Sequence, residues 1–142
     1  KVTFFDSLQK RLTFLEKVVC DLGLTASFLH GRAEEMAHKP EYRSAFDIVT
    51  SRAVARLNIL AEWALPYVRT GGYFISLKGA QYEEELAEGE KALKILGGKV
   101  AEVRPVRLPG LDDVRAVLYI EKVKESPKKY PRKPKMAAKN PL

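Results

Sequence analysis

Four short stretches carry polar or charged side chains where chemistry could be done: Asp6-Ser7, Gly31-Arg32-Ala33-Glu34, Ser51-Arg52-Ala53 and Lys78-Gly79. Each follows an apolar run with strand character, and ligands of open α/β sheets bind just outside the carboxyl ends of the strands. Asp6 closes the run Lys1–Phe5, and an acidic side chain at a strand tip accepts hydrogen bonds from the 2′ and 3′ hydroxyls of a ribose. The alternative for Asp6 is a carboxylate favoured by the dipole of the helix that follows. Glu34 has the same two readings: a first-turn carboxylate, or, with the small Ala33 and a backbone amide, the wall beside an adenine. Arg52 projects a permanent cation from a central strand end, and its planar fork suits a carboxylate or a phosphate. Its structural alternative is a salt bridge to Asp47 or Asp6. Lys78, at the next strand end, would hold an anion in the same crevice. His30 reads as a structural residue at a strand end. Two histidines and the single Cys20 are too few for a zinc site, so no metal is expected.

The elements that position these residues alternate between strand and helix character, which argues for βαβ units and a mostly parallel sheet. Leu8, Leu12, Leu15, Val19 and Leu22 recur at steps of three and four and predict a helix over 7–22, with Ser7 as N-cap and Gly23 ending it. Residues 25–30 read as a strand, 32–39 as a short helix stopped by Pro40, and 45–50 as a strand buried on both faces. A helix over 54–68 turns Leu57, Leu60, Ala61, Ala64, Leu65 and Val68 inward, with Pro66 kinking or shortening it. Gly71-Gly72 are expected to turn the chain into a strand at 73–77, and a polar helix follows at 81–96. Residues 99–107 and 114–123 alternate like strands, separated only by Pro109-Gly110-Leu111-Asp112-Asp113, so they must pair antiparallel. A strand-tip ribose acid normally lies about 20 residues after a Gly-rich loop. No such loop precedes Asp6, so the fold is expected to lack its first strand.

Composition sets the remaining bounds. The 142 residues, 46% hydrophobic and 30% charged, fit one soluble domain with a real core. No apolar run reaches the length of a membrane span, and one cysteine excludes an internal disulfide. Six of the net seven positive charges fall in residues 126–142, at Lys128, Lys129, Arg132, Lys133, Lys135 and Lys139, leaving +1 for residues 1–125. Four prolines interrupt that segment, so no regular helix is expected there. The chain divides on this basis into an α/β domain, 1–125, and a basic Pro-rich tail, 126–142. Such a tail either solubilises the protein or lies along a polyanion, where counterion release rewards it.

Taken in order, Asp6-Ser7-Leu8-Gln9-Lys10-Arg11 with Phe14-Leu15-Glu16, Gly31-Arg32-Ala33-Glu34, the run from Phe46 to Leu57, Leu77-Lys78-Gly79 and Lys128-Lys129-Tyr130-Pro131-Arg132-Lys133 resemble the bacterial 16S ribosomal RNA guanine-N7 methyltransferases, the glucose-inhibited division protein B family. The resemblance implies a Rossmann-like methyltransferase sheet, mostly parallel, ending in an antiparallel hairpin. The cofactor it implies is S-adenosylmethionine, and the substrate is 16S ribosomal RNA, free or in the small ribosomal subunit. Carried over residue by residue, Asp6 and Ser7 would lie at the ribose, Ala33 and Glu34 at the adenine, and Arg52 at the cofactor end of the cleft. Lys10, Arg11, Lys78, Lys128, Lys129, Arg132 and Lys133 would contact RNA. The protein is expected to be a cytoplasmic monomer without membrane contact. Family members carry a helical segment, a first strand and a Gly-rich cofactor loop before the position of Lys1, and their tails usually continue past Pro134 with a Gly-containing turn.

Guanine N7 carries an in-plane lone pair, so its methylation requires no prior proton removal, and no catalytic acid or base is expected. Catalysis would rest on alignment of N7, methyl carbon and sulfur. Positive charge moves onto the purine during transfer, so Arg52 is assigned to the methionine carboxylate or an RNA phosphate. Two other classes compete. A non-catalytic RNA-binding module is suggested by the missing loop and would give no saturable heat with S-adenosylmethionine. A nicotinamide oxidoreductase is suggested by the strand-end acid alone, against which the hairpin and the basic tail both count.

Overall fold

Leu12 and Val19, one helical face apart by seven residues, are buried and draw helix α1 (Gln9–Asp21) against the first strand. The computed structural model describes residues 1–110, 112 and 114–142; Leu111 and Asp113 of the expected hairpin turn lie outside the described residues. Strand β1 (Thr3–Asp6) pairs in parallel with β2 (Ser27–His30), in register Asp6 to His30. A one-turn helix, α2 (Ala33–Met36), leads towards β3 (Phe46–Arg52). After α3 (Leu57–Ala64) and a 3-10 turn (Leu65–Tyr67) come β4 (Val68–Lys78), α4 (Tyr82–Leu96), β5 (Gly98–Arg107) and β6 (Val114–Lys122).

The strands form two sheets among the described residues. β1 and β2 stand as a pair, and the second sheet runs β3-β4-β6-β5. β3 and β4 are parallel, whereas β6 is antiparallel to both of its neighbours, so the sheet is mixed and ends in an antiparallel hairpin. β3 is hydrogen-bonded on one side only, and no ladder joins it to β1. The outer strand β5 carries Pro105 and a register shift between Val100 and Glu102.

One face of the larger sheet is covered. Leu57, Leu60, Ala61, Ala64 and Leu65 pack with Ala92, Leu93 and Leu96 onto Val68, Phe74, Leu118 and Ile120. Phe74 is fully buried, and its truncation to alanine would cost about 3–5 kcal/mol. Gly89 lets α3 and α4 close up, since a Cβ there would stand 3.0 Å from the Leu57 side chain. The opposite face stays open: Ile48 is 58% exposed, and Tyr73 and Leu77 are also exposed. β3 is therefore not the strand buried on both faces that its apolar run suggests, but an edge strand among the described residues, covered on one face.

Three expectations are corrected. Ser7 does not cap α1; the N-cap position is Leu8, which offers no side-chain cap, and Asp6 Oδ1 accepts the Leu8 amide at 2.8 Å in an Asx turn that leads into the helix. Gly71-Gly72 do not end the connection before the strand. They lie inside β4 as an irregular stretch opposite Asp47, because Phe46 pairs with Val68 while Ile48 pairs with Tyr73. A Cβ on Gly72 would stand 2.5 Å from the Asp47 carbonyl oxygen, a backbone approach that only glycine permits. The helix expected over 54–68 spans only Leu57–Ala64, shortened at its end by Pro66 as anticipated, and the chain passes on through a 3-10 turn.

Residues 126–142 lie against the body. The Arg43 guanidinium donates to four backbone carbonyls: Ala37 at 3.2 Å, Tyr130 at 3.0 Å, Ser126 at 2.9 Å and Pro127 at 3.2 Å. His38 Nε2 sits 2.7 Å from the Pro131 carbonyl oxygen. The fully buried Lys122 donates to Leu65 O and to Ser126 Oγ, which in turn donates to Leu96 O. Between Pro134 and Pro141, where the sequence predicts no regular helix, six residues free of proline allow a one-turn helix, α5 (Met136–Lys139), that buries Ala137.

Candidate functional site

The strand tips bring together part of the predicted set. Asp6 ends β1 with its carboxylate 24% exposed. Its Oδ1 accepts the Leu8 amide and its Oδ2 accepts from Arg11 at 3.2 Å, so a turn-forming bond and exposure coexist in one side chain. Ser7 is exposed beside it, and its carbonyl lies 3.2 Å from His30 Nε2 at the tip of β2. An open groove of about 760 Å³ runs from Asp6 and Ser7 along Lys10, Arg11 and Phe14. A second groove, between α4 and the start of β5, is lined by Leu93, Lys94, Lys99 and Lys124 and contains none of the strand-tip residues.

Ala33 and Glu34 open α2 across the parallel pair from Asp6. Glu34 is only 5% exposed and pairs with Arg32 at 3.2 Å. The Ala33 carbonyl accepts a 2.8 Å hydrogen bond from the Tyr67 hydroxyl. Burial, and then the nearby Glu34 charge, push the Tyr67 phenol well above its ordinary range, so it stays a donor.

Arg52 ends β3 with an exposed side chain. Neither structural alternative for it is realised, because Asp47 pairs with Arg69 at 2.6 Å and Asp6 with Arg11. Among the described residues no carboxylate pairs with Arg52. The next residue, Ala53, holds a left-handed backbone at φ 51°. A non-glycine residue in that region stores strain that tends to gather at functional turns. Ser51, one residue before Arg52, has a buried hydroxyl with no protein partner, as does its cross-strand neighbour Ser76. Alternation puts these two hydroxyls on the covered face with Phe74 and Arg52 on the other, so the exposed guanidinium alone is the feature that fits an anionic ligand group.

Two predicted RNA contacts are redirected. Lys78 points inward, its side chain 6% exposed, and donates to Glu85 at 2.6 Å and to the Ala55 carbonyl at 2.7 Å. Glu85 also accepts the Leu57 amide, so this lysine ties β4 to the start of both covering helices. Arg132 grips the fully buried Glu62 through its side chain and its own amide, with contacts of 2.7–3.2 Å. That carboxylate raises the pKa of the guanidinium above its ordinary value. Lys10, Lys128, Lys129 and Lys133 are exposed, and Arg11 is exposed while bonded to Asp6. Sequence reasoning missed Tyr67, Arg43 and Glu62. Of these only Glu62 left a signal, a lone acid inside the apolar run Ile59–Pro66.

The family described as "rRNA small subunit methyltransferase G" (GidB) matches residues 1–109. The chain is 48% identical to the protein of that name from Lactobacillus acidophilus and 52% identical to that from Macrococcus caseolyticus. Each alignment covers 100% of this chain and 60% of the relative, so the chain spans about three-fifths of their length. Among solved structures, a 16S rRNA (adenine(1408)-N(1))-methyltransferase W203A mutant from Catenulisporales acidiphilia superposes with TM-score 0.68 at 14% identity, over 89% of this chain and 74% of that one. An rRNA methylase from Streptococcus thermophilus gives 0.59 at 16% identity, over 87% and 74%. These likenesses establish the fold as that of the α/β methyltransferases. With the family match spanning both strand-tip turns and Arg52, the chain belongs to the rRNA small subunit methyltransferase G (GidB) family.

Proposed function

We propose that this chain carries the ribose, adenine and carboxylate side of an S-adenosylmethionine site, and that it serves methylation of guanine N7 in small-subunit ribosomal RNA. The observation that supports the reading most directly is the set at the strand tips: an exposed acid at Asp6, the Ala33–Glu34 turn across the parallel pair, and an unpaired Arg52. Asp6 would accept the ribose hydroxyls, with Ser7 beside it. The Ala33–Glu34 peptide would face the adenine, where the small Ala33 leaves space for the ring. Arg52 would take the methionine carboxylate or an RNA phosphate.

When bound, the cofactor supplies an electrophilic methyl group. This chain's residues orient and exclude; none needs to move a proton, because N7 already presents its lone pair. In-line alignment is the catalytic contribution. Lys10, Arg11, Lys128, Lys129 and Lys133 are the candidate RNA contacts, positioning the substrate through phosphates and carrying no sequence preference. The reading places the protein in the cytoplasm, as a monomer acting on 16S ribosomal RNA or the small subunit. No helix among the described residues is long and apolar enough to cross a membrane.

Isothermal titration of the chain with S-adenosylmethionine, paired with transfer of labelled methyl to 16S RNA, tests the proposal. Saturable heat that is lost in Asp6→Ala is the expected result. Absence of saturable heat would refute the cofactor site and leave an RNA-binding module.

A further inference from the structure

Tyr67 occupies a place that none of the strand-tip residues explains. It is 4% exposed, and its ring lies between two others, 5.7 Å from the Phe5 centroid and 6.2 Å from that of Phe46. Phe5 directly precedes Asp6 in β1, and Phe46 begins β3. These two strands share no ladder, so the Tyr67 ring packs against side chains from both sheets. Met36 and Ala37, at the end of α2, complete the same small cluster. From this seat the hydroxyl donates to the Ala33 carbonyl at 2.8 Å.

The consequence follows from peptide geometry. The Ala33 carbonyl and the Glu34 amide belong to one planar trans unit, so fixing one fixes the direction of the other. We propose that Tyr67 is a positioning residue: its hydroxyl locks the Ala33–Glu34 peptide plane and thereby aims the Glu34 N–H at the adenine of the cofactor. The aromatic seat between Phe5 and Phe46 holds that hydroxyl at a fixed height relative to Asp6, so ribose and base contacts share one reference point. A phenylalanine at this position would keep the ring and its packing but remove the shorter of the two hydrogen bonds on the Ala33 carbonyl, leaving only that from the Ala37 amide at 3.2 Å.

The inference rests on the cofactor reading above, and the test separates the two. A backbone N–H directed at N1 favours adenine, whose N1 accepts, over hypoxanthine, whose N1 bears a proton. Kd would be measured by titration calorimetry for S-adenosylhomocysteine and S-inosylhomocysteine on the whole chain and on Tyr67→Phe. The wild type is expected to prefer the adenosyl ligand, and the variant to lose about fivefold of that preference, the value of one hydrogen bond. Its affinity for the inosyl ligand should stay the same. Equal weakening for both ligands would mean a merely structural role and overturn the proposal; so would an unchanged preference. Phe46→Leu keeps the hydroxyl and loosens its seat. It is expected to change the preference by less than about twofold, and a complete loss there would assign the control to packing and also overturn it. If the wild type binds neither ligand, the cofactor reading falls and the role of Tyr67 with it; if the wild type binds and Y67F discriminates as well, only Tyr67 falls.

Discussion

The two places where cations gather in this molecule are built on opposite principles. At the seam between residues 126–142 and the body, Arg43 is spent on four carbonyls, Lys122 on a carbonyl and a hydroxyl, and Arg132 on a buried carboxylate. At the strand tips, Arg52 has no acidic partner among the described residues and Asp6 keeps a quarter of its surface open. Arg43 lies just before β3 begins and Arg52 closes it, so the contrast runs along one strand. It teaches that charge alone does not mark function in this chain; whether the charge is already satisfied does.

The sharpest way to break the comparison is Arg132→Ala. It would leave the fully buried Glu62 carboxylate without its counter-charge and with only the residue-132 amide as a donor, and breaking a buried ion pair costs about 3–5 kcal/mol. Urea unfolding measures this, and a loss below about 1 kcal/mol would mean the seam is not a buried ion pair.

Lys122 supplies a pH test of the same seam. Burial, and then the Arg43 charge, depress its pKa from 10.5 to about 8, against a smaller opposing pull from Glu125. The folded state therefore releases this proton before the unfolded state does. The cost of burying the charge is fully present below pH 8 and is relieved as pH rises from 8 to 10.5. Stability should increase across that window by on the order of 3 kcal/mol, against the alkaline losses of other groups. Lys122→Met should abolish the increment, and a wild type whose stability only falls over that range would contradict the assignment.

Arg52→Ala sharpens the other side. An exposed strand-end substitution should alter stability by less than about 0.5 kcal/mol, yet weaken S-adenosylmethionine binding about tenfold. A stability loss comparable to that of Arg132→Ala would place Arg52 with the structural cations. The smallest effect is expected from Lys128→Ala, Lys129→Ala and Lys133→Ala combined. Folding should be unaffected, while the salt dependence of RNA binding loses a slope of about 0.7 for each phosphate released.

The sequence carried the order of elements, the antiparallel ending and the identity of the strand tips, because each rests on local periodicity. It did not carry the seam. Arg43 sits in an aperiodic loop, and three of its four acceptors are backbone carbonyls between 83 and 87 residues away, which no side-chain pattern announces. The six cations after residue 125 look alike in sequence, yet Arg132 is bound to Glu62 while Lys128 and Lys129 stand in solvent. Lys78 misleads for a related reason. A lysine at a strand end reads as ligand-facing, but alternation along β4 places it on the same face as the buried Phe74 and Ser76. Gly71-Gly72 read as a turn because glycine pairs usually are one, whereas the close Asp47 carbonyl is a tertiary fact.

The edges of the sheets differ in one further respect. β5 presents Pro105, which offers no amide, a register shift, and the exposed charges of Lys99, Arg104 and Arg107. Such an edge refuses a foreign strand. The sequences of β1, β2 and β3, Thr-Phe-Phe-Asp, Ser-Phe-Leu-His and Phe-Asp-Ile-Val-Thr-Ser-Arg, contain neither proline nor lysine, and each strand has an open edge among the described residues. In a concentrated solution of this chain, aggregation would therefore nucleate at these three strands and bypass β5. Its shelf life would be set by those fifteen residues more than by the stability of the buried core.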